Sequence, residues 1–161
     1  MPQKVVGVIG TNGIVKNTWN KTNSEYLKAM GQNSGNLVFQ FAFCRSFTSK
    51  YLLIGKDIEW NNSLIRQECD VIAIPAANFI RENFDLTPLT KFLEDINLPL
   101  IVVGLGAQAS TINTKLGKVH QSIIRFLKVI NERTYTIGIR GNYTASILVT
   151  AGANPQLFAA E

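Results

Sequence analysis

A long apolar run without alternation lies in the second half of the chain. Residues 98–103 read Leu-Pro-Leu-Ile-Val-Val, and Gly104 and Gly106 follow directly. Such a run is typical of a strand buried on both faces, as in a parallel sheet covered by helices. The glycines come where this strand would end, so the loop can adopt positive φ and let a ligand approach its backbone. A simple tight turn is the alternative reading of the same glycines.

Other apolar runs alternate with helical patterns along the chain. Strands are predicted over residues 4–10, 50–55, 71–75 and 135–140, in addition to the strand at 98–103. Helices are predicted over 62–68, 87–96, 119–130 and 143–150, and residues 24–30 suit either a short helix or a loop. This order predicts an α/β fold, an open, mostly parallel doubly wound sheet of about five strands with right-handed crossovers. The whole chain, 1–161, is expected to form one Rossmann-like domain.

Residues 37–47 carry two conflicting signals. The run is long enough for three helical turns, and the polar cluster of Asn33, Gly35 and Asn36 before it offers helix caps. Phe39, Phe41 and Phe43 alternate with other residues, however, which is typical of a strand. We favour a buried helix that is apolar almost all round. Its start would direct free N–H groups and a partial positive charge toward the polar cluster, which predicts an anion site.

Small and polar residues follow three of the predicted strands. They are Asn78 after the strand at 71–75, then Gly104, Gly106 and Gln108, and finally Arg140 and Asn142 after the strand at 135–140. Ligands of open α/β sheets bind outside the carboxyl ends of the strands, so these residues are candidates for a phosphate or carboxylate site. Arg140 offers two parallel donors, and Asn142 is expected to cap the following helix. A surface arginine paired with a nearby carboxylate is the alternative for Arg140.

Composition and charge narrow the classes of function. The 161 residues carry a net charge of +5, spread without any block of like charges, so a nucleic-acid partner is not indicated. Cys44 and Cys69 lie far apart, no CxxC occurs, and His120 is the single histidine, which disfavours a metal site. Free thiols, no signal-peptide layout and no apolar run of roughly 18 residues favour a cytoplasmic protein without a transmembrane segment.

Catalytic residues do not emerge from these patterns. His120 has no evident serine and carboxylate partners, and Glu94 with Asp95 lies on a helix expected to face solvent. The loops therefore predict binding of an anion and leave the reaction unnamed.

A resemblance supplies a reaction. Four segments, GQNSGNLVFQFA, DVIAIPAANFI, LPLIVVGLGAQA and TIGIRGNYTASILVTAG, spread over residues 31–152, resemble the polysaccharide pyruvyl transferase family. Asn33 and Gly35 match its NxGD-like turn, with Asn36 where many members carry aspartate. Gly104 and Gly106 match its glycine loop, and Arg140 with residues 148–152 matches its last motif.

The resemblance implies one half of a GT-B-type enzyme. Members of the family transfer a pyruvyl group from phosphoenolpyruvate to a sugar of a cell-surface polysaccharide or its precursor, as a ketal. It implies an anionic donor and a sugar acceptor as partners, no further cofactor, and an arginine at position 140 that faces the donor across the interdomain cleft. Members are about twice as long, so the chain corresponds to the amino-terminal domain and is expected to be inactive alone. A homodimer through the face that the second domain covers fits the same interpretation.

Two other classes of function stay open. An NAD(P)-binding protein is suggested by GVIGTNG at 7–13 or GLGAQA at 104–109, although Arg140 rather than an acidic residue closes the strand that follows the second motif. A binding or assembly module without catalysis is the other alternative.

Overall fold

Six parallel strands form the centre of the molecule. The computed structural model describes residues 3–29, 34–81, 84–108 and 121–160. The strands are β1 (Val5–Ile9), β2 (Lys50–Ile54), β3 (Val71–Pro75), β4 (Leu100–Leu105), β5 (Ile137–Ile139) and β6 (Phe158–Ala160). They pair in the order β2-β1-β3-β4-β5-β6, and every neighbouring pair is parallel. The predicted α/β fold with an open parallel sheet is confirmed, and β4 is one of the two central strands.

Six helices connect or flank the strands within the described residues. They are α1 (Asn23–Ala29), α2 (Ser34–Arg45), α3 (Asn62–Glu68), α4 (Thr87–Ile96), α5 (Gln121–Arg133) and α6 (Gly141–Thr150). Two short 3-10 helices lie at Thr18–Asn20 and Pro155–Leu157. β6 follows the second of them and was not predicted, because three residues give no periodicity to recognise.

The sheet is doubly wound, with unequal layers on its two faces. The crossover from β1 to β2 runs in one direction and all later crossovers run in the other, so right-handed connections place α2 on one face and α3 to α6 on the opposite face. The two apolar cores agree with this division. Phe43 and Cys44 of α2 pack with Val6, Val8 and Ala73. A larger core contains the buried side chains of α3 to α6 and the other face of β3 and β4.

Residues 34–45 form a helix, which confirms the favoured interpretation over the strand. The expectation that this helix is buried is wrong. Phe43 and Cys44 are buried, whereas Val38 and Phe41 are exposed. Among the described helices, α2 alone contributes buried residues to its face of the sheet. No second helix adds a buried side chain to this core in the described part of the chain, and apolar residues of α2 that point away from the sheet face solvent.

The described residues contain neither a membrane-spanning helix nor a cluster of metal-binding side chains. None of the helices there is both long and apolar enough to cross a bilayer. The same residues contain no group of three or more His, Cys, Asp or Glu side chains that could hold a metal ion.

Candidate functional site

Three of the predicted site residues meet at the carboxyl edge of the sheet. Arg140 Nη1 donates a hydrogen bond to Asn78 Oδ1 over 3.2 Å, linking the loop after β3 to the end of β5. Gly106 lies between them, after β4. A Cβ atom built on Gly106 would stand 3.2 Å from Asn78 Oδ1 and 3.4 Å from Arg140 Cδ. We call Asn78, Gly106, Gln108 and Arg140 the edge cluster.

The loops after β3 and β4 remain paired beyond the ends of the strands. Gly106 N donates to Ala77 O over 2.6 Å, and Ile80 N donates to Gly106 O over 3.1 Å. Gln108 N donates to Ile80 O over 2.9 Å, so Ile80 and Ala107 form a further parallel bridge. Ala77 adopts a left-handed φ of 33°, a conformation rare for a residue with a side chain. This backbone ladder fixes Asn78 and Gln108 relative to each other.

Thr144 joins the β4 loop to the start of α6. Its hydroxyl is buried, accepts a hydrogen bond from Ala107 N over 3.1 Å and donates to Arg140 O over 3.0 Å. The sequence analysis did not identify Thr144 as a site residue. A threonine four residues after the start of a helix often donates to the backbone oxygen there, so the bond from Thr144 to Arg140 O could be predicted from sequence. Nothing in the sequence predicts the bond from Ala107 N to Thr144.

Arg140 itself is the cap residue of α6. The helix begins at Gly141, and the Arg140 side chain makes no cap hydrogen bond to it. Asn142 was expected to be the cap; it lies inside the first turn instead, exposed to solvent. Gly141 has φ of 80° and nothing within 4 Å of the position of a Cβ atom, so space is open beside Arg140. The guanidinium and the positive end of α6 thus occupy the same exposed corner.

The backbone amides of the glycine loop are not available for a phosphate, in contrast to the expectation from sequence. The N–H groups of Gly106, Ala107 and Gln108 all donate to acceptors within the protein. The N–H of Arg140 donates to Leu105 O over 3.0 Å. The positive charge at this edge therefore comes from the Arg140 side chain and the first turn of α6.

Gly104 does not belong to the loop. It lies within β4, is buried, and adopts φ of 71° where the register between β4 and β5 shifts. The Phe39 ring covers it, since a Cβ atom there would stand 2.7 Å from Phe39 Cζ. This glycine allows an aromatic ring of α2 to approach the strand, which explains its presence without a ligand.

The start of α2 lies on the same edge of the sheet as the cluster. Phe39 covers Gly104 near the end of β4, and Gly35 precedes Phe39 by four residues, about 6 Å along the helix axis. Gly35 and Asn36 are exposed in this first turn. Asn33 lies outside the described residues, so the predicted shared anion site of both loops stays a prediction.

The turn after β1 is packed against α2. A Cβ atom on Gly13 would stand 2.2 Å from Leu37 O and 2.5 Å from Phe41 N. Gln40 Oε1 accepts a hydrogen bond from Thr11 N over 3.3 Å and closes the space next to Gly10. A dinucleotide fingerprint needs a helix that opens directly at its glycines, whereas the first α-helix after β1 begins at Asn23.

Neither cysteine offers a nucleophile to the edge cluster. Both thiols are free and buried, and burial raises the pKa of Cys44 and of Cys69 above the ordinary value. The neighbouring carboxylates of Asp57 and Glu68 add to this effect on the respective pKa values. Thiols that stay protonated are poor nucleophiles. The groups available at the edge cluster are therefore the Arg140 guanidinium, the side-chain amides of Asn78 and Gln108, and the start of α6.

Comparison with known proteins does not assign the chain. Protein-family models, curated proteins and solved structures were searched, and none gave a significant match.

Proposed function

We propose that the edge cluster binds the anionic donor phosphoenolpyruvate. In this proposal the chain is the amino-terminal domain of a pyruvyl transferase that acts on a sugar of a cell-surface polysaccharide or its precursor. The observation that carries the proposal is the exposed Arg140, whose Nη1 lies 3.2 Å from Asn78 Oδ1 at the start of α6. The resemblance to the pyruvyl transferase family, which rests on the segments that contain these two residues, supplies the identity of the donor.

The geometry suits a carboxylate or phosphate better than a neutral ligand. An arginine guanidinium presents two parallel N–H donors to two oxygens, and the bond from Nη1 to Asn78 Oδ1 holds this guanidinium next to the loop after β3. The amide nitrogen of Asn78 adds a donor on the same side chain. The first turn of α6 contributes a partial positive charge next to this pair.

In the proposed reaction the cluster binds and does not exchange protons. Two sugar hydroxyl oxygens form bonds to the central carbon of the enolpyruvyl group as its bond to the phosphate oxygen breaks. One of the two hydroxyl protons goes to the methylene carbon, which becomes a methyl group, and the other leaves with inorganic phosphate. The side chains of the edge cluster are a guanidinium and two carboxamides, which supply hydrogen bonds and are not among the usual general acids and bases. Their role is therefore to hold the donor carboxylate or phosphate in place.

Calorimetric titration with phosphoenolpyruvate tests the proposal. Arg140→Lys keeps the charge but loses the paired donors, so we expect affinity to fall by about 2 kcal/mol, roughly thirtyfold. Arg66→Lys is the matched control, because Arg66 donates to Asp95 O over 2.8 Å at the opposite edge of the sheet. Equal affinities of the two variants for phosphoenolpyruvate would refute the assignment of Arg140.

A titration with NADH separates the proposal from the dinucleotide alternative. Enhanced NADH fluorescence on mixing, with no heat from phosphoenolpyruvate, would favour an NAD(P)-binding protein. Competition of inorganic phosphate with phosphoenolpyruvate would indicate which end of the donor the cluster holds. Competition by pyruvate alone would place the carboxylate there.

A further inference from the structure

The surface around α1 and α2 exposes an unusual share of apolar side chains. Half of the large apolar side chains that are exposed in the described chain lie within residues 14–41, namely Ile14, Trp19, Tyr26, Leu27, Val38 and Phe41. Ile14, Tyr26, Val38 and Phe41 line one open hollow of about 400 Å³. Val38 is 69% and Trp19 84% exposed, so these side chains protrude into solvent. We call the six residues the apolar patch. The residues that line the hollow form a contiguous apolar surface, which marks an interaction site in globular proteins, and Trp19 and Leu27 are exposed in the same segment of the chain.

Helix α1 has no core of its own. It spans seven residues, and its described side chains from Asn23 to Lys28 are all exposed. Thr22 and Glu25 cap it reciprocally, with Thr22 N donating to Glu25 Oε2 over 2.9 Å and Glu25 N to Thr22 Oγ1 over 3.3 Å. An isolated helix shorter than about 12 residues is marginal in water. Capping therefore sets where α1 begins, and contact of Tyr26 and Leu27 with an external surface would stabilise it.

The segment that carries the patch has a positive net charge. Residues 11–45 contain four basic residues, Lys16, Lys21, Lys28 and Arg45, and one acidic residue, Glu25, which gives +3 of the net +5 of the chain. Arg45 Cζ lies 5.8 Å from the centre of the Phe41 ring, so this charge adjoins the apolar side chains. The Glu25 carboxylate accepts hydrogen bonds from Thr22, which hold its pKa below the ordinary value and engage it at the helix start.

We propose that this patch docks the protein onto an anionic membrane surface. Apolar side chains with tryptophan and tyrosine, edged by lysines and an arginine, match the interface of a bilayer that contains anionic lipids. The aromatic rings would enter the headgroup region while the basic side chains contact lipid phosphates. A second copy of the chain is a poorer occupant, because it would bring a second charge of +3 against the first. The proposal is independent of the ligand at the edge cluster.

The location of the patch relates it to the candidate site. Both adjoin α2, because Phe39 covers Gly104 near the end of β4 while Val38 and Phe41 of the same helix line the hollow. A protein docked through the patch would hold the carboxyl edge of its sheet close to the bilayer. A substrate anchored in that bilayer could then reach the edge cluster without the protein dissociating.

Flotation with vesicles tests the proposal. We expect the wild-type chain to float with vesicles of phosphatidylglycerol and phosphatidylcholine, to bind pure phosphatidylcholine at least tenfold more weakly, and to be released at about 0.5 M NaCl. In a Trp60→Phe background, Trp19 is the remaining tryptophan, so its emission should shift to the blue and be quenched by brominated lipid.

Matched variants distinguish vesicle binding through the patch from nonspecific hydrophobic or electrostatic binding elsewhere on the surface. Trp19→Ser should lower vesicle binding at least tenfold, whereas Tyr135→Ser, which removes an aromatic ring that is 94% exposed outside the patch, should not. Lys21→Glu with Lys28→Glu should lower it similarly, whereas Lys91→Glu with Lys128→Glu on α4 and α5 should lower it much less. Circular dichroism melts confirm that each exposed-site variant is folded.

Three outcomes would overturn the proposal. The first is failure of the wild-type chain to bind anionic vesicles, and the second is equal binding of patch and control variants. The third is a concentration-dependent dimer, seen by analytical ultracentrifugation and lost in Val38→Ser, which would assign the patch to a second copy instead.

Discussion

Replacing Thr144 by valine should loosen the edge cluster while leaving its side chains in place. The Thr144 hydroxyl is buried and accepts the hydrogen bond of Ala107 N over 3.1 Å, so valine, of nearly the same shape, leaves that N–H without its acceptor. Ala107 is half-buried, and loss of the acceptor of its N–H is expected to cost about 1–3 kcal/mol. With a urea dependence of about 2 kcal/mol per M, a loss of 2 kcal/mol lowers the unfolding midpoint by about 1 M.

Thr150→Val is the control for this measurement. Thr150 donates to Ser146 O over 2.9 Å on the same helix, much as Thr144 donates to Arg140 O, but it is exposed and serves no second partner. We expect it to change the free energy of unfolding by less than about 0.5 kcal/mol. Thr144→Ser, which keeps the hydroxyl, should recover most of the loss. If Thr144→Val and Thr150→Val lower the midpoint equally, the bond to Ala107 does not anchor the loop and the reasoning fails.

Two further changes test other parts of the structure. Gly104→Ala places a methyl group 2.7 Å from Phe39 Cζ at a φ of 71°, so we expect a loss of about 1–3 kcal/mol in a thermal or urea melt, and a neutral result would contradict the described packing. Arg125 binds the Glu94 carboxylate through Nε over 2.7 Å and through Nη2, and these bonds lower the pKa of Glu94. Because this folded-state pKa is depressed, the stabilising effect of the pair is present above the ordinary glutamate pKa and disappears as the pH falls through the lowered value. NMR titration should show the Glu94 pKa returning toward its ordinary value in Arg125→Gln; an unchanged pKa would contradict the pairing.

The alternation of strands and helices could be predicted because each element has its own local sequence pattern. The β-branched run at 71–75 and the apolar spacing of residues 89–96 are local patterns, and their alternation leaves few topologies. The exposure of α2 could not be predicted in this way. Its side chains are apolar on all sides, but how many sides meet the protein depends on which helices share its face of the sheet, which is set by the direction of each crossover.

The candidate site was predictable in outline and not in detail. Asn78, Gly106 and Arg140 meet as expected because the carboxyl ends of parallel strands share one edge. Whether the loop amides face a ligand depends on partners distant in sequence, and Ala107 N donates to Thr144 across 37 positions. The sequence does not distinguish Gly104 from Gly106. In the structure Gly104 packs under Phe39, whereas Gly106 lies beside Arg140.

The backbone ladder that continues past β3 and β4 has a consequence for how a ligand would bind. Loops normally lose conformational freedom when they close on a ligand, at about 1–2 kcal/mol for each residue that becomes ordered. Here Gly106, Ile80 and Gln108 exchange backbone hydrogen bonds with one another, so the protein itself orders these loops. The edge is thus preorganised, and a few charge-assisted contacts suffice for measurable affinity because they do not have to offset ordering of these loops. Free and bound forms should then share one backbone at this edge, with the change on binding confined to side-chain rotamers.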